Sequence, residues 1–581
     1  MDHGPAARGP FEPMPPVPPG RSVQPAPTSP APSLPERASS GAGPQHGAHQ
    51  APPRPPYFQP RTPDHQPGPH QSGAHLGRIP AAWPLLLILV LQTVLSLRLV
   101  RADTAFQDEA LYLSAGHLEW ASLLHGASVP PFAAYFSGAP VIYPPLAALA
   151  DSVGGLTGAR ILSLLFMLGA TGLLYATAGR LFGRWAAVFG AALFAVISPT
   201  LHLGSFATYD AMAMFLVALA AWLVVRAGDR PDATLWMAGA GVTLALANMT
   251  LYPSALFDPV VILLALAVAF PRPGGRQAAS RALILLAVVS VLVAAVVLLG
   301  GSRYIHGIQV TTVTRAPAHD SSLTVLQNSF AWTGVVAVIG VCGAVAGWVS
   351  HPRTARAWLL TVLAAAIVLV PIEQAGLHSL ASLNKHGDMG AWFAAIAAGY
   401  ALERFITAAP AGRMRLITGV ACVIALCFPA AVGATQSRVF ATSWPNSSAF
   451  VAILRPLAGS TNGHLLVEDP SIAEYYLPSG TQWKRWSSTR NIVLPSGNPT
   501  GGPSDKAGVV GPGNVGTFGM YIKQGYFSLI ALNFVDTTSL DHMIAADIRK
   551  NRHYHLIDVV PYGMTGPKPG TYIIWRYEPA S

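Results

Sequence analysis

The apolar positions of this chain come in long unbroken runs, not in the alternation of a half-buried strand or the stripe of a soluble helix. Runs close to the ~20 residues needed to cross a bilayer recur near 81–100, 157–179, 185–203, 207–226, 233–250, 254–270, 282–300, 329–350, 357–373, 389–406 and 415–433. They predict about eleven transmembrane helices, since a helix satisfies its own backbone polar groups inside lipid. The pattern differs on both flanks. Residues 1–78 are rich in Pro, Gly, Ser and His and lack apolar periodicity, which predicts a disordered tail. Residues 438–581 mix short β-rich runs (His464–Glu468, Phe527–Phe534, His555–Val560, Thr571–Tyr577) with helical stretches (Ser447–Leu457, Ser471–Tyr476, Leu540–Asn551). These predict a small α/β domain. The expected fold class is therefore an all-α polytopic membrane domain, 79–437, between a disordered tail and an α/β domain, 438–581.

Composition agrees with that division. The chain is 51% hydrophobic and only 11% charged, against about 25% charge in an ordinary soluble protein. The formal net charge of +10 does not point to nucleic acid. The cations lie mainly in short loops between the apolar runs. Arg180 and Arg184, Arg226 and Arg230, Arg272, Arg276 and Arg281, Arg353 and Arg356, and Arg404, Arg413 and Arg415 all fall on one side of the expected topology. By the positive-inside rule that side is cytoplasmic, with Arg98 and Arg101 as exceptions at the end of the first run. The N-terminal tail is then cytoplasmic. The loop after the first span, the 301–328 and 374–388 loops, and the C-terminal domain are extracytoplasmic. Cys342, Cys422 and Cys427 sit in apolar runs and form neither a metal-site spacing nor a disulfide framework.

Five polar features gather on the expected outer side. The first is the acid pair Asp108-Glu109, in a helix-like stretch where Asp108, Tyr112 and Glu119 share a face. The second is Tyr143-Pro144-Pro145-Leu146, suited to the entry of a new helix. The third is Thr208-Tyr209-Asp210 at the start of the fourth span, where a helix dipole favours an acid. The fourth is the loop with Arg303, His306, Arg315 and His319. The fifth is Asn384-Lys385-His386-Gly387-Asp388, entering the tenth span; Lys385 is the first lysine of the chain. Ionisable groups near membrane depth are costly and often functional. Acids on one part of an outward cleft and cations on another suit group transfer from an anionic, phosphate-linked donor. A carboxylate can deprotonate an attacking hydroxyl, and cations can stabilise a leaving phosphate.

The order of these elements resembles the GT-C superfamily of polytopic glycosyltransferases, in particular bacterial members of family 39, the protein O-mannosyltransferase and aminoarabinose transferase group. The residues that carry the resemblance are Asp108-Glu109-Ala110-Leu111-Tyr112, Tyr143-Pro144-Pro145-Leu146, Ser198-Pro199 leading through His202 and Phe206 to Asp210, Asn248–Pro253, and Leu383-Asn384-Lys385-His386. It spans roughly residues 81–430. It implies transfer of a sugar, with inversion, from a polyprenyl-phosphate donor to an extracytoplasmic glycan, lipid or protein acceptor. It also implies Asp108 as general base, Glu109 positioning it or binding sugar hydroxyls, and Asp210 as a second acid. Lys385 with His386 would hold the donor phosphate, helped by Arg315. Tyr112, Tyr143 and His202 complete the expected substrate-binding set, although relatives often carry a basic residue where Tyr143 stands. No cofactor is expected and no His/Asp cluster demands a metal; the oligosaccharyltransferase branch does use a divalent ion. The alternative is a transporter or flippase for a lipid-linked sugar. Such proteins show internal repeats and broken helices at mid-membrane. No clear repeat is present, and most of the charged residues gather at the outer surface and not at mid-span, with Asn248 and Asp258 as partial exceptions.

Overall fold

The computed structural model describes residues 83–579, apart from 229, 231, 270–274, 316, 478–479, 490–491, 494–508, 511–514, 536 and 564–569. The tail expected over 1–78 lies outside the described residues.

Among the described residues the apolar runs named above are mainly helical. In chain order the helices are α1 (Trp83–Leu97), α2 (Gln107–His125), α3 (Tyr143–Phe182), α4 (Arg184–Val196), α5 (Ser198–Leu203), α6 (Tyr209–Ala227), α7 (Ala233–Thr250), α8 (Asp258–Ala269), α9 (Gly275–Gly300), α10 (Ser302–Ile308), α11 (Ser322–Ser350), α12 (Ala355–Ala365), α13 (Leu369–Gly376), α14 (Leu383–Ala408), α15 (Arg413–Ala425) and α16 (Cys427–Phe440). Among the described residues six helical segments are long and apolar enough to cross a membrane alone: α3, α6, α9, α11, α12 with α13, and α15 with α16. Others, such as α1 and α4, are shorter apolar helices. The run at 185–203 breaks into α4 and α5 at Ile197, which is extended and precedes Ser198-Pro199. Proline disfavours helical geometry in the residues just before it and suits the first turn of the helix that follows. In α3, Gly155 adopts φ 61°. A left-handed residue there separates the leading segment, 143–154, from the membrane-length segment that follows.

α14 runs through the middle of the bundle, and all residues from Leu383 to Tyr400 are buried. Close packing between membrane helices depends on small residues, because lipid supplies no hydrophobic drive for association. Gly399 shows why: a Cβ there would strike the Ala186 carbonyl of α4. Reciprocally, a Cβ on Gly190 of α4 would approach the Ala395 carbonyl of α14.

The chain then builds a layered α/β structure on the α2 side of the bundle. Its helices are α17 (Ser448–Gly459), α18 (Pro470–Tyr476), α19 (Val515–Lys523) and α20 (Thr538–Lys550). Its strands are β1 (His464–Val467), β2 (Trp486–Ser488), β3 (Ile492–Val493), β4 (Val509–Val510), β5 (Phe527–Leu532), β6 (Tyr554–Tyr562) and β7 (Gly570–Tyr577). Five strands form one sheet in the order β2-β1-β5-β7-β6, while β3 and β4 pair separately. β2, β1 and β5 are parallel; β7 and β6 run antiparallel to their neighbours. Strand periodicity sends Leu465 and Val467 to one face, with Leu454 of α17 and Ala473 of α18. Leu466 goes to the other, with Ile522 of α19 and Ile544 of α20.

Gly399→Val is expected to lower stability by roughly 1–3 kcal/mol, the usual cost of overpacking. Gly419→Val, at a position where a Cβ meets nothing within 4 Å, should be close to neutral. Thermal unfolding of both variants in detergent checks the contrast.

Candidate active site

Three helix N-termini carry the polar residues that the sequence singled out. Asp108 lies in the first turn of α2, Asp210 in the first turn of α6 and Lys385 in the first turn of α14. The sequence placed Lys385 before the tenth span. The structure starts that helix six residues earlier than the apolar run does, so Lys385 and His386 are helical.

The three side chains meet. Lys385 Nζ donates to Asp108 Oδ2 at 2.7 Å and stands 3.9 Å from Asp210 Oδ2. His386 Nε2 lies 3.3 Å from Asp210 Oδ1. Burial is uneven: the Asp210 side chain has no exposure and that of Lys385 has 10%, whereas Asp108 retains 26%. A cation in the first turn of a helix opposes the dipole. The two carboxylates reverse that cost, and each is itself favoured by the N-terminus it occupies. Beside this pair, the side-chain amide of Asn384 is buried with no hydrogen-bond partner among the described residues.

Tyrosines wall the cluster. The rings of Tyr112 and Tyr209 lie 4.4 Å apart, and the buried Tyr143 ring meets Tyr209 edge-on at 6.4 Å. Both tyrosines expected to bind substrate therefore stand near Asp210. His202 is buried between Phe206 and Phe440, at 4.5 and 4.4 Å. Lys385 Nζ lies 5.9 Å from the centroid of the Phe206 ring. His202 thus touches the site through Phe206.

Glu109 occupies a different place from its neighbour. It is fully buried and pairs bidentately with Arg160 of α3, at 2.8 and 2.6 Å. It also accepts the backbone N–H groups of Phe106 and Ala207, at 3.0 and 2.7 Å. Arg160 in turn donates to the carbonyls of Val100, Asp103 and Thr104. Both carboxylate oxygens of Glu109 are thus taken up by protein donors. Arg160 was passed over in the sequence. Its signal was a lone cation inside the apolar run 157–179, which is costly unless paired.

Arg315 makes no hydrogen bond or ion pair to the cluster among the described residues, and neither do Arg303, His306 and His319. Asp258 accepts from Asn248 at 2.8 Å, and Asn248 accepts from Ser254 at 2.9 Å. This motif closes the turn from α7 to α8, where the backbone bonds to Ser137 and Ala139. It is a chain reversal between two helices. Asp388, one turn beyond Lys385, accepts from Thr200 at 2.7 Å. Among the described residues no group of three or more His, Cys, Asp and Glu side chains is placed to hold a metal ion.

The α/β layer grips the segment leading into α2. The Tyr476 hydroxyl accepts the Ala105 N–H at 2.8 Å, Trp444 donates to the Thr104 carbonyl at 3.0 Å, and Asn446 donates to Asp103 at 2.7 Å. Burial raises the Asp103 carboxyl above its ordinary range, opposed by bonds from the Thr104 backbone and Asn446. Tyr475 donates to Asp151 at 2.6 Å.

Comparison with known proteins agrees with this architecture. Residues 139–299 match the family model described as dolichyl-phosphate-mannose-protein mannosyltransferase. ArnT from Cupriavidus metallidurans, solved bound to undecaprenyl phosphate, is similar in structure with a TM-score of 0.55 at 15% identity, over 85% of this chain and 98% of that one. The apo oligosaccharyltransferase of Archaeoglobus fulgidus gives 0.54 at 13% identity, over 84% and 75%. The same organism's AglB, solved with an inhibitory peptide and a dolichol-phosphate, gives 0.51 at 13%, over 85% and 74%. Comparison with curated protein sequences finds no match. The chain has the fold of the GT-C membrane glycosyltransferases, and the resemblance to that superfamily and to family 39 is borne out.

Glu109→Gln leaves Arg160 buried without its counter-charge. The expected loss is about 3–5 kcal/mol, the cost of breaking a buried pair from one side. Asp108→Asn, at a partly exposed position, should shift the melting temperature far less. Thermal melts of the two variants in one detergent test the separation of roles between adjacent acids.

Proposed function

We propose that this multi-pass membrane protein transfers a sugar, with inversion, from a polyprenyl-phosphate donor to an extracytoplasmic acceptor. The observation that carries this reading is the convergence of three helix N-termini on Lys385, Asp108 and Asp210. Each N-terminus carries roughly half a positive charge, and such ends bind phosphate readily. Lys385 adds a full cation and Asn384 an unpartnered amide. The site is thus built for a phosphate-linked substrate, as is expected of a fold whose neighbours were solved with undecaprenyl phosphate and dolichol-phosphate.

In the proposed sequence the carrier phosphate takes the Lys385 ammonium that Asp108 now occupies. Asp108 is then free to accept the proton of an acceptor hydroxyl. The hydroxyl oxygen attacks the anomeric carbon, the bond to the carrier phosphate breaks, and the phosphate leaves with the electron pair. Lys385 and the α14 N-terminus stabilise the charge that develops on it. Asp210, held between Lys385 and His386, keeps the lysine charged and aimed; Glu109 positions the loop. An apolar groove between α11 and α13, lined by Phe330, Thr333, Val368 and Pro371, supplies a course for the polyprenyl chain. Its Thr333 methyl lies near Gly387, two residues from Lys385. The arginine-bearing loops support an orientation with this site outside and the N-terminus in the cytoplasm.

Asp108→Asn is expected to retain binding of a polyprenyl-phosphate sugar while transfer falls by about 10²–10⁴-fold, the usual contribution of a general base. Lys385→Met should lose donor binding as well. Purified variants incubated with a panel of polyprenyl-phosphate sugars, with sugar loss followed by mass spectrometry, make the test. Full turnover by Asp108→Asn overturns the assignment.

A further inference from the structure

The α/β layer holds a second crevice. Its sheet reverses winding direction between two neighbouring parallel strands. From β1 the chain crosses through α18 to β2 on one side; from β5 it crosses through α20 toward β6 and β7 on the other. Open α/β sheets bind ligands outside the carboxyl ends of the strands at such a switch point. Here those ends are Val467-Glu468 and Leu532-Asn533. A cleft of about 240 Å³ opens there, and its opposite wall is the segment leading into α2, including Phe106 and Gln107. Gln107 directly precedes Asp108.

The lining has a definite chemistry. Trp444 and Tyr572 contribute aromatic surface, with Phe106 packed on Trp444 at 5.4 Å. Asn533 and Gln107 contribute amides, and no hydrogen bond from the Gln107 side chain to protein is formed among the described residues. Glu468 accepts the backbone N–H groups of Asn533, Val535 and Thr537, at 3.1, 3.0 and 2.9 Å, and so fixes the loop that presents Asn533. The described lining contains two carboxylates and no cation, the opposite of the Lys385 site. It does not suit a phosphate. Aromatic faces for the C–H surface of a pyranose or furanose, with amides for its hydroxyls, suit a neutral saccharide. Pockets of this kind combine apolar walls with a few placed polar groups.

We propose that the switch-point crevice binds the terminal sugar of a neutral saccharide and serves as the acceptor subsite, handing a hydroxyl to Asp108 past Gln107. The acceptor role rests on the transferase reading above; saccharide binding does not. The test is saturation-transfer difference NMR on the full-length protein in detergent, with methyl glycosides of mannose, galactose, glucose and arabinose as probes. At least one should bind. Gln107→Ala and Asn533→Ala should each weaken it, by roughly tenfold for both together, with melting curves unchanged. Tyr572→Phe keeps the ring stacked on Phe450, at 4.2 Å, and should bind nearly normally. Lys385→Met should leave saccharide binding intact while abolishing donor binding, so failure of the transferase reading and failure of this site are read separately. Absence of binding by all four glycosides overturns the proposal. So does binding indifferent to Gln107 and Asn533, or displacement of the glycoside by a serine-containing peptide that binds more tightly.

Discussion

The geometry of the site depends on one ion pair, Glu109 with Arg160. Both side chains are almost wholly buried, and burying either alone would cost several kcal/mol. Together they are compensated because every strong donor and acceptor finds a partner. Arg160 gathers the carbonyls of Val100, Asp103 and Thr104, and Glu109 takes two backbone N–H groups as well as the guanidinium. The pair therefore fixes the end of the segment after α1, the start of α2 and the approach to α6 in one network. Successive residues of a helix point about 100° apart. With Glu109 locked inward, Asp108 is turned toward Lys385, and its direction is a consequence of its neighbour's burial.

Charge at the centre follows a second constraint. Lys385 sits where a helix dipole disfavours a cation, so its stability there depends on Asp108 and Asp210. Both carboxylates stand at the ammonium. Asp210, with no solvent exposure and a histidine on its far side, is the fixed member of the trio. Asp108 is the most exposed. In the reaction proposed above, that difference lets a phosphate take the place of the more exposed carboxylate while Asp210 stays at the ammonium.

The bundle was legible in the sequence because continuous apolar runs need only length to be read. Its interruptions were not, since the Ile197 break and the α12–α13 junction are made by packing and by single residues inside apolar text. The strands at 464–468, 527–534, 555–560 and 571–577 were close to those observed, but β2 (Trp486–Ser488) was missed: three residues with no alternation carry no period. Nor does periodicity reveal that β1 pairs in parallel with β5, about sixty residues away. At the site, the adjacent acids were found and given different roles by resemblance alone, because the physical difference between them lies in Arg160, a residue hidden in a membrane run. Asn384 stood inside a noted motif, yet only its burial without a partner gives it a reason. Arg315 shared a side of the membrane with the cluster, and sidedness alone does not bring residues together.

The α/β layer is more than a cap on the bundle. Residues 103–107 are held from below by Arg160 and from the side by Trp444, Asn446 and Tyr476. A short segment with bonds from both bodies has no position of its own; it takes the one that satisfies both. Asp108 follows that segment directly, so its distance from Lys385 is set partly by helices in the membrane and partly by a sheet outside the bundle. The same segment forms the shared wall between the Lys385 cluster and the switch-point crevice. The bundle and the sheet are thus joined at one short stretch of chain: the segment that leads into Asp108 also lines the crevice.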